Sequence, residues 1–219
     1  MHKTVKNLLE IENNIKDYLR EKKINIPPKI IAVSKTFKID KILPLIDHRH
    51  LDFGENKVQE AFEKWSSVKA KNSKIKLHMI GKLQKNKVKF AVKIFDYIHS
   101  VDSEKLAKKI SDEQNKIDKK IKIFLQVNIG DENQKSGINK DDVSQLVSCC
   151  EKIGLDIIGL MCIPPANIDP KNYFKEMNKL NETFDFSELS MGMSSDYLEA
   201  AKNSATYLRI GSKIFGNRD

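Results

Sequence analysis

Cysteine, arginine and long apolar runs are scarce or missing in this sequence. The three cysteines, Cys149, Cys150 and Cys162, form no C-x-x-C pair. This spacing argues against a zinc knuckle and a disulfide framework, and it favours a reducing cytoplasm. No apolar stretch approaches the roughly 18 residues that cross a bilayer, and residues 1–20 interrupt their apolar positions with charge every few residues. We therefore expect neither a membrane span nor a signal peptide.

The shortage of arginine also weakens a nucleic-acid interpretation of the charge. The formal net charge is +9, but of 39 basic residues only Arg20, Arg49, Arg209 and Arg218 are arginine. Arginine is the side chain that binds phosphate and guanine through two parallel hydrogen bonds. Aromatic residues make up 7% of the chain, which provides little surface for stacking on bases. We expect no nucleic-acid partner.

Apolar runs alternate with amphipathic stretches along the rest of the chain. An apolar spacing of three and four predicts a helix over 4–22, and Pro27 and Pro28 close that segment. Ser103 is expected to cap a later helix, Pro170 to occupy a first helical position, and Gly154 to end a helix. Eight short apolar runs predict strands at 29–34, 51–53, 76–81, 95–100, 121–129, 155–163, 187–191 and 206–211.

The alternation of strands and helices predicts an α/β protein with a parallel sheet covered by helices. A doubly wound sheet would normally carry a glycine-rich first turn, yet the sequence contains no G-x-G. Eight repeats in this length instead favour a (β/α)8 barrel with an extra N-terminal helix. No linker or shift in composition is apparent, so we expect one domain over 1–219.

Functional groups in such a barrel belong at the C-terminal ends of the strands. Lys35 directly follows the run IIAVS, where its amine can attack a carbonyl and form a Schiff base. The loops SMGMSS and RIGS offer hydroxyls and backbone N–H groups for a phosphate. Taken singly, Lys35 can be a solvated lysine and SMGMSS a glycine turn. Together they indicate pyridoxal phosphate (PLP).

Three other features of the sequence do not indicate a functional site by themselves. His48 and His50 have no carboxylate or cysteine companion at ligand spacing, so we expect no metal site. Asn128, in the sequence QVNIGDENQKSG, can face the barrel mouth or belong to a solvent loop. Cys150 shares the apolar stripe of its helix, which favours a structural thiol.

A family resemblance extends over almost the whole chain. Its carriers, in order, are IAVSKTF, FGENKVQE, HMIGKLQKNK, IHSVDS, LQVNIGDENQKSGI, GLMCIPP, LSMGMSSDYLEA and TYLRIGSKIFGNR. On these motifs the chain resembles the pyridoxal phosphate homeostasis proteins, single-domain relatives of the N-terminal barrel of alanine racemase. Two departures are modest: Lys57 stands where the family usually has tyrosine, and the stretch between Pro165 and Ser187 is shorter than is typical.

The resemblance implies a set of cofactor-binding residues. Lys35 matches the lysine that holds PLP as a Schiff base, and Arg209 matches the arginine that faces the pyridine nitrogen. A charged guanidinium there keeps this nitrogen unprotonated and weakens the ring as an electron sink. The resemblance further implies that Ser194, Gly211 and Ser212 bind the phosphate. It also implies that Asn56 and His78 line the cofactor cleft.

The resemblance implies a non-catalytic protein that holds PLP and hands it over, with PLP-dependent apo-enzymes as recipients, and it favours a monomer. The alternative is a PLP-dependent amino-acid racemase-like enzyme. Racemisation needs acid/base groups on both faces of the α-carbon. The five tyrosines fall within predicted helices or strands, and the chain ends eight residues after Gly211, so we expect no second domain to supply the other group. A Schiff-base aldolase would account for Lys35, but it would not explain why Arg209 and Ser194 occur together.

Overall fold

A computed structural model describes residues 1–22, 26–132 and 136–216, and within them eight parallel strands close into a barrel in chain order. β1 pairs with both β2 and β8, and Ile31 lies opposite Arg209 across the closing seam. The strands are β1 Lys29–Val33, β2 Asp52–Glu55, β3 Lys76–Met79, β4 Tyr97–Val101, β5 Lys122–Val127, β6 Asp156–Cys162, β7 Glu188–Ser190 and β8 Tyr207–Ile210. The predicted (β/α)8 barrel is confirmed.

Helices follow the strands and cover the outside of the barrel. They are α1 Lys3–Glu21, α2 Ile39–Asp47, α3 Val58–Lys71, α4 Val88–Ile94, α5 Glu104–Asn115, α6 Val143–Lys152, α7 Lys171–Thr183, α8 Tyr197–Lys202 and α9 Ser212–Phe215. None of the helices in the described ranges is both long and apolar enough to span a membrane.

The extra N-terminal helix is also confirmed. One face of α1 is buried, and this face carries Val5, Leu8, Ile11, Ile15 and Leu19. α1 contacts α2, α8 and α9, so it covers the region where the first and last repeats of the barrel meet. The Asn7 side-chain amide donates to the Ile214 carbonyl at 2.9 Å, which ties α1 to the short helix after β8.

The helices begin and end close to the residues predicted to cap them, but these residues do not always make the expected capping interaction. Gly154 follows α6 with a φ of +69°, which is the left-handed conformation expected of a glycine at a helix end. Ser103 is the N-cap of α5, yet its side chain makes no capping hydrogen bond. Pro170 is the N-cap of α7, one position before the predicted one.

The interior of the barrel differs from the shell around it. The space between strands and helices is filled by aliphatic and aromatic side chains. Inside the barrel, a small apolar cluster of Ile31, Phe124, Met161 and Tyr207 shares the space with polar side chains. His78, His99, Ser190 and Arg209 are all buried. Buried polar groups of this kind require hydrogen-bond partners, and these partners connect the interior to the functional site.

Candidate functional site

A cavity of about 490 Å³ opens at the C-terminal ends of the strands. Five of the seven predicted site residues line it, namely Lys35, Ser194, Arg209, Gly211 and Ser212. Apolar side chains complete the wall, including Val33, Phe37, Ile80, Ile163 and Met193. The end of the barrel that carries chemistry in this architecture is therefore the end at which the predicted residues meet.

The backbone on both sides of Lys35 is held by α3. Lys64 Nζ donates to the Ser34 carbonyl at 2.9 Å and to Glu60 Oε1 at 2.8 Å. The same Glu60 oxygen accepts from the Thr36 N–H at 2.6 Å. Thr36 has a φ of +70°, a left-handed conformation that is costly for a β-branched residue. These bonds hold Lys35 at the cavity despite the strain at the next residue.

A buried carboxylate supports this loop from below. Glu55 Oε1 accepts from the Ser34 hydroxyl at 2.7 Å, from Trp65 Nε1 at 3.0 Å and from Lys64 Nζ at 3.0 Å. The Glu55 side chain has no exposed surface. Burial raises the pKa of this carboxyl, and the neighbouring Lys64 charge opposes that rise. Glu55 and Lys64 anchor β1 and β2 to α3 directly beneath Lys35.

The loops after β7 and β8 meet at one corner of the cavity. Ser194 Oγ accepts from the Gly211 N–H at 3.3 Å and from the Lys213 N–H at 3.5 Å. Gly192 precedes this loop with a φ of +86° and accepts from the Arg209 N–H at 2.9 Å through its carbonyl. A hydroxyl and backbone N–H groups thus converge where a phosphate was predicted.

Arg209 lies on β8 and reaches the floor of the cavity. Nη1 donates to Ser190 Oγ and Nη2 donates to the Cys162 carbonyl, both at 2.8 Å. Only 4% of the residue is exposed. Burial lowers the pKa of the guanidinium from its usual value, but arginine remains protonated in proteins. The site therefore contains a fixed positive charge.

The structure does not bring the other two predicted residues into this wall. Asn56 follows β2 beside the mouth, packed against Gly81, and its Oδ1 is buried without a hydrogen-bond partner among the described residues. His78 is completely buried inside the barrel, where its ring bonds Asp52 and His99. His78 does not line this cavity, because on β3 its side chain lies in the interior below it, and its place in the cofactor cleft stays a prediction.

Sequence reasoning missed three polar residues that His78 connects to the site. His99 bonds both His78 and Ser190, and Ser190 bonds Arg209. Asp52 accepts from His78 at the other end. The available signal was a histidine or serine within an otherwise apolar strand, namely FDYIHS for His99 and SELSM for Ser190. Such residues, when buried, are held by specific partners.

Asn128 does not belong to this cavity. Its amide donates to the Glu132 carbonyl at 3.1 Å and its Oδ1 accepts from the Glu132 N–H at 3.3 Å. The side chain therefore closes its own loop after β5 and is buried there. Residues 133–135 of the same loop lie outside the described residues.

Comparison with known proteins agrees with this fold. Residues 7–219 match the family described as alanine racemase, N-terminal domain. The chain is 33% identical over 225 residues to the pyridoxal phosphate homeostasis protein of Pasteurella multocida, covering 97% of each chain. It is 36% identical over 217 residues to the Homo sapiens protein of the same name, covering 89% of this chain and 78% of that one.

A solved structure extends the likeness to three dimensions. PipY of Synechococcus elongatus, solved with PLP bound, superposes with a TM-score of 0.81 at 31% identity, covering 92% of this chain and 100% of that one. The barrel thus falls in the class of alanine racemase N-terminal domains. Within that class, the chain belongs to the pyridoxal phosphate homeostasis protein family.

Proposed function

We propose that this protein binds PLP at the cavity of Lys35 and Arg209 and acts in PLP homeostasis as a carrier or buffer without catalysis of its own. The observation that carries the proposal is the composition of the cavity wall. Among the described residues that line it, Lys35 and Arg209 are the only ionisable side chains, and they share it with the Ser194, Gly211 and Ser212 corner. PipY, a similar protein, is known with PLP bound.

The residues of the cavity fit the chemistry of PLP. A phosphate is anionic, and the corner formed by Ser194 and the backbone after β8 offers hydrogen-bond donors to it. Asn56 Oδ1, buried without a partner among the described residues, offers a further polar contact beside the mouth. Arg209 suits the ring nitrogen because two of its N–H groups already bond Ser190 and Cys162, which orients the guanidinium.

Lys35 supplies the covalent bond in this proposal. Its Nζ attacks the aldehyde carbon of PLP, the aldehyde oxygen leaves as water, and a C=N bond remains. The bond is reversible because water or another amine can attack the same carbon. Such reversibility suits a protein that takes up PLP and releases it to PLP-dependent apo-enzymes.

The same cavity argues against catalysis. PLP supplies an electron sink when bound, but Arg209 keeps a fixed positive charge against the ring nitrogen and disfavours its protonation. Racemisation also needs a second acid or base besides the lysine. Among the described lining residues, no tyrosine, histidine, cysteine or carboxylate is present to act as one. The racemase-like alternative is therefore the weaker hypothesis.

The proposed setting is the cytoplasm, with the protein as a monomer. The cysteines support a reducing environment, since all three are free and Cys150 and Cys162 are buried. Burial raises the pKa of the thiols of Cys150 and Cys162 to about 12, so neither is a reactive thiolate at neutral pH.

The deciding experiment is borohydride reduction of the protein mixed with PLP, followed by peptide mass spectrometry. We expect one pyridoxyl adduct, on Lys35, and its loss in Lys35→Ala. Lys38→Ala is the matched control, because Lys38 is exposed on the same loop, and it should keep the adduct. Adducts scattered over surface lysines would overturn the proposal. Racemisation of L-alanine by the loaded protein would support the alternative instead.

A further inference from the structure

A continuous chain of hydrogen bonds crosses the barrel interior from the site to the opposite end. Arg209 Nη1 lies 2.8 Å from Ser190 Oγ, and Ser190 Oγ lies 2.9 Å from His99 Nδ1. His99 Nε2 lies 2.9 Å from His78 Nδ1, and His78 Nε2 lies 3.0 Å from Asp52 Oδ1. Asp52 is the first residue of β2, so this chain ends where the strands begin.

The two ends of the chain determine its direction. Arg209 can only donate, and an ionised Asp52 can only accept. When both rings are neutral and His78 donates to Asp52, Ser190 accepts from Arg209 and donates its proton to His99 Nδ1. His99 then carries its proton on Nε2 and donates to His78 Nδ1. His78 in turn carries its proton on Nε2 and donates to Asp52. Every bond points away from Arg209.

The reverse arrangement of neutral rings fails at one end. If His99 donated from Nδ1 to Ser190, His78 would have to donate from Nδ1 to His99, and its bare Nε2 would face the Asp52 carboxylate at 3.0 Å. Two acceptors would then oppose each other. A doubly protonated His78 would avoid this clash, but burial lowers the pKa of both His78 and His99, so the rings are neutral near pH 7.

Asp52 provides the charge that polarises this chain. Burial raises the pKa of its carboxyl, but the bond from His78 and nearby positive charges outweigh that effect and lower the pKa below its usual value. Its side chain is 25% exposed and borders a cavity of about 940 Å³ that α1 shares with the start of β1 and β2. The remaining links are buried, with His78 stacked on Tyr97 and His99 stacked on Phe124. In such surroundings each bond strengthens the next.

We propose that Asp52 is a positioning residue for Arg209 and acts through His78, His99 and Ser190 from the opposite end of the barrel. The negative charge makes Ser190 Oγ a stronger acceptor and holds the Arg209 guanidinium in the orientation that the cavity requires. This inference rests on the proposed binding of PLP, because Arg209 matters as a ligand of that cofactor.

The first test uses the protein without cofactor. Side-chain ¹⁵N spectra of histidine distinguish a ring protonated on Nε2 from one protonated on Nδ1. We expect Nε2–H rings for His78 and His99. Asp52→Asn should shift the signals of His99, which Asp52 does not touch, and Ser190→Ala should shift those of His78. The proposed coupling would be overturned if each substitution shifted only the signals of the histidine next to it. It would also be overturned if the rings of His78 and His99 were protonated on Nδ1.

The second test measures PLP affinity. We expect Asp52→Asn to weaken PLP binding about fivefold or more, the lower range of coupling between distant sites. Asp156→Asn is the matched control, because Asp156 is the exposed first residue of β6 and the change in charge is the same. With Ser190→Ala in place, Asp52→Asn should have little further effect, since the connection is already broken.

The outcomes separate the two proposals. Equal affinity of Asp52→Asn and Asp156→Asn, or full additivity with Ser190→Ala, would overturn the positioning role even if PLP binds. Should Asp52→Asn fail to fold, Ser190→Ala decides through the His78 signals and its own PLP affinity. If the unaltered protein binds no PLP, the proposed function falls, whereas the ring signals of the cofactor-free protein still decide whether Asp52 and Ser190 are coupled.

Discussion

His99 illustrates how a single buried ring makes stability depend on pH. Burial lowers the pKa of His99 well below its usual value, and the neighbouring His78 and Arg209 lower it further. An unfolded chain binds a proton on the same residue near pH 6.5. Because the unfolded state binds more protons than the folded state below that pH, acid favours unfolding.

We expect the free energy of unfolding to fall between pH 7.5 and 5.5, with at most about 1 kcal/mol of the loss due to His99. Urea titrations at the two pH values measure this loss. It should be smaller by that amount in His99→Gln. His48→Gln is the control, since His48 is exposed at the end of α2, and it should retain the full loss. An equal loss in all three proteins would contradict the prediction.

At the same scale, sequence alone predicted some of the residues that line the candidate cavity and not others. Lys35 was predictable because it directly follows a buried strand, and the cavity contains it. His78 lies below the cavity wall, and a motif could not show this, because it gives the position of a residue in the chain but not the face of the strand on which its side chain lies. Asp52 and Ser190 are far apart in sequence, and only the closed barrel connects them through His78 and His99.

Among the elements, the segment from β7 into its loop has little room for a side chain at Gly192. A Cβ added to Gly192 would lie 2.4 Å from the Ala200 Cβ and 3.0 Å from Leu208 Cδ2. The backbone there also has a φ of +86°, which L side chains rarely adopt. Gly192 therefore combines two costs, steric overlap with α8 and β8 and an unfavourable backbone conformation.

We expect Gly192→Ala to lower the free energy of unfolding by about 2–5 kcal/mol, the sum of overpacking and backbone strain. Gly154→Ala is the matched variant, since Gly154 also has a positive φ of +69° but no atom within 4 Å of an added Cβ. It should cost about 1–2 kcal/mol. Chemical denaturation measures both values, and equal losses would show that α8 yields to the new methyl group.

Element boundaries were predictable where apolar periodicity sets them and less so where side-chain bonds do. The run at 29–34 became β1 and the helix over 4–22 became α1, because both bury continuous apolar faces. Ser103 was correctly placed at the start of α5, yet its hydroxyl makes no cap. Sequence indicates that a serine suits such a position, but not which bond it makes.

For the molecule as a whole, cofactor binding should appear as added stability. A ligand that binds only the folded state stabilises it by about 2.7 kcal/mol at a concentration of 100 times its Kd. We expect PLP to raise the melting temperature, and pyridoxal, which lacks the phosphate, to raise it much less at the same concentration. Differential scanning fluorimetry measures both shifts. Equal increases in melting temperature with PLP and with pyridoxal would contradict the proposal that Ser194 and Gly211 bind the phosphate.

The architecture of the whole chain was the most predictable feature. Eight apolar runs and the absence of G-x-G favoured a closed barrel over an open sheet, and the closed barrel is what forms. The polar interior was not predictable, because a core of this fold is ordinarily filled by branched apolar residues. Only pairing around the barrel reveals that His78, His99 and Ser190 share one interior.

The hydrogen-bonded interior also limits how this sequence can diverge. Replacing Ser190 with an apolar residue strands a donor on Arg209 and an acceptor on His99, and replacing His99 strands both of its neighbours. A stranded buried partner costs about 1–3 kcal/mol, whereas exchanging linked partners together can be nearly neutral. We therefore expect four positions to covary in related sequences, although they lie on four different strands, namely Asp52, His78, His99 and Ser190.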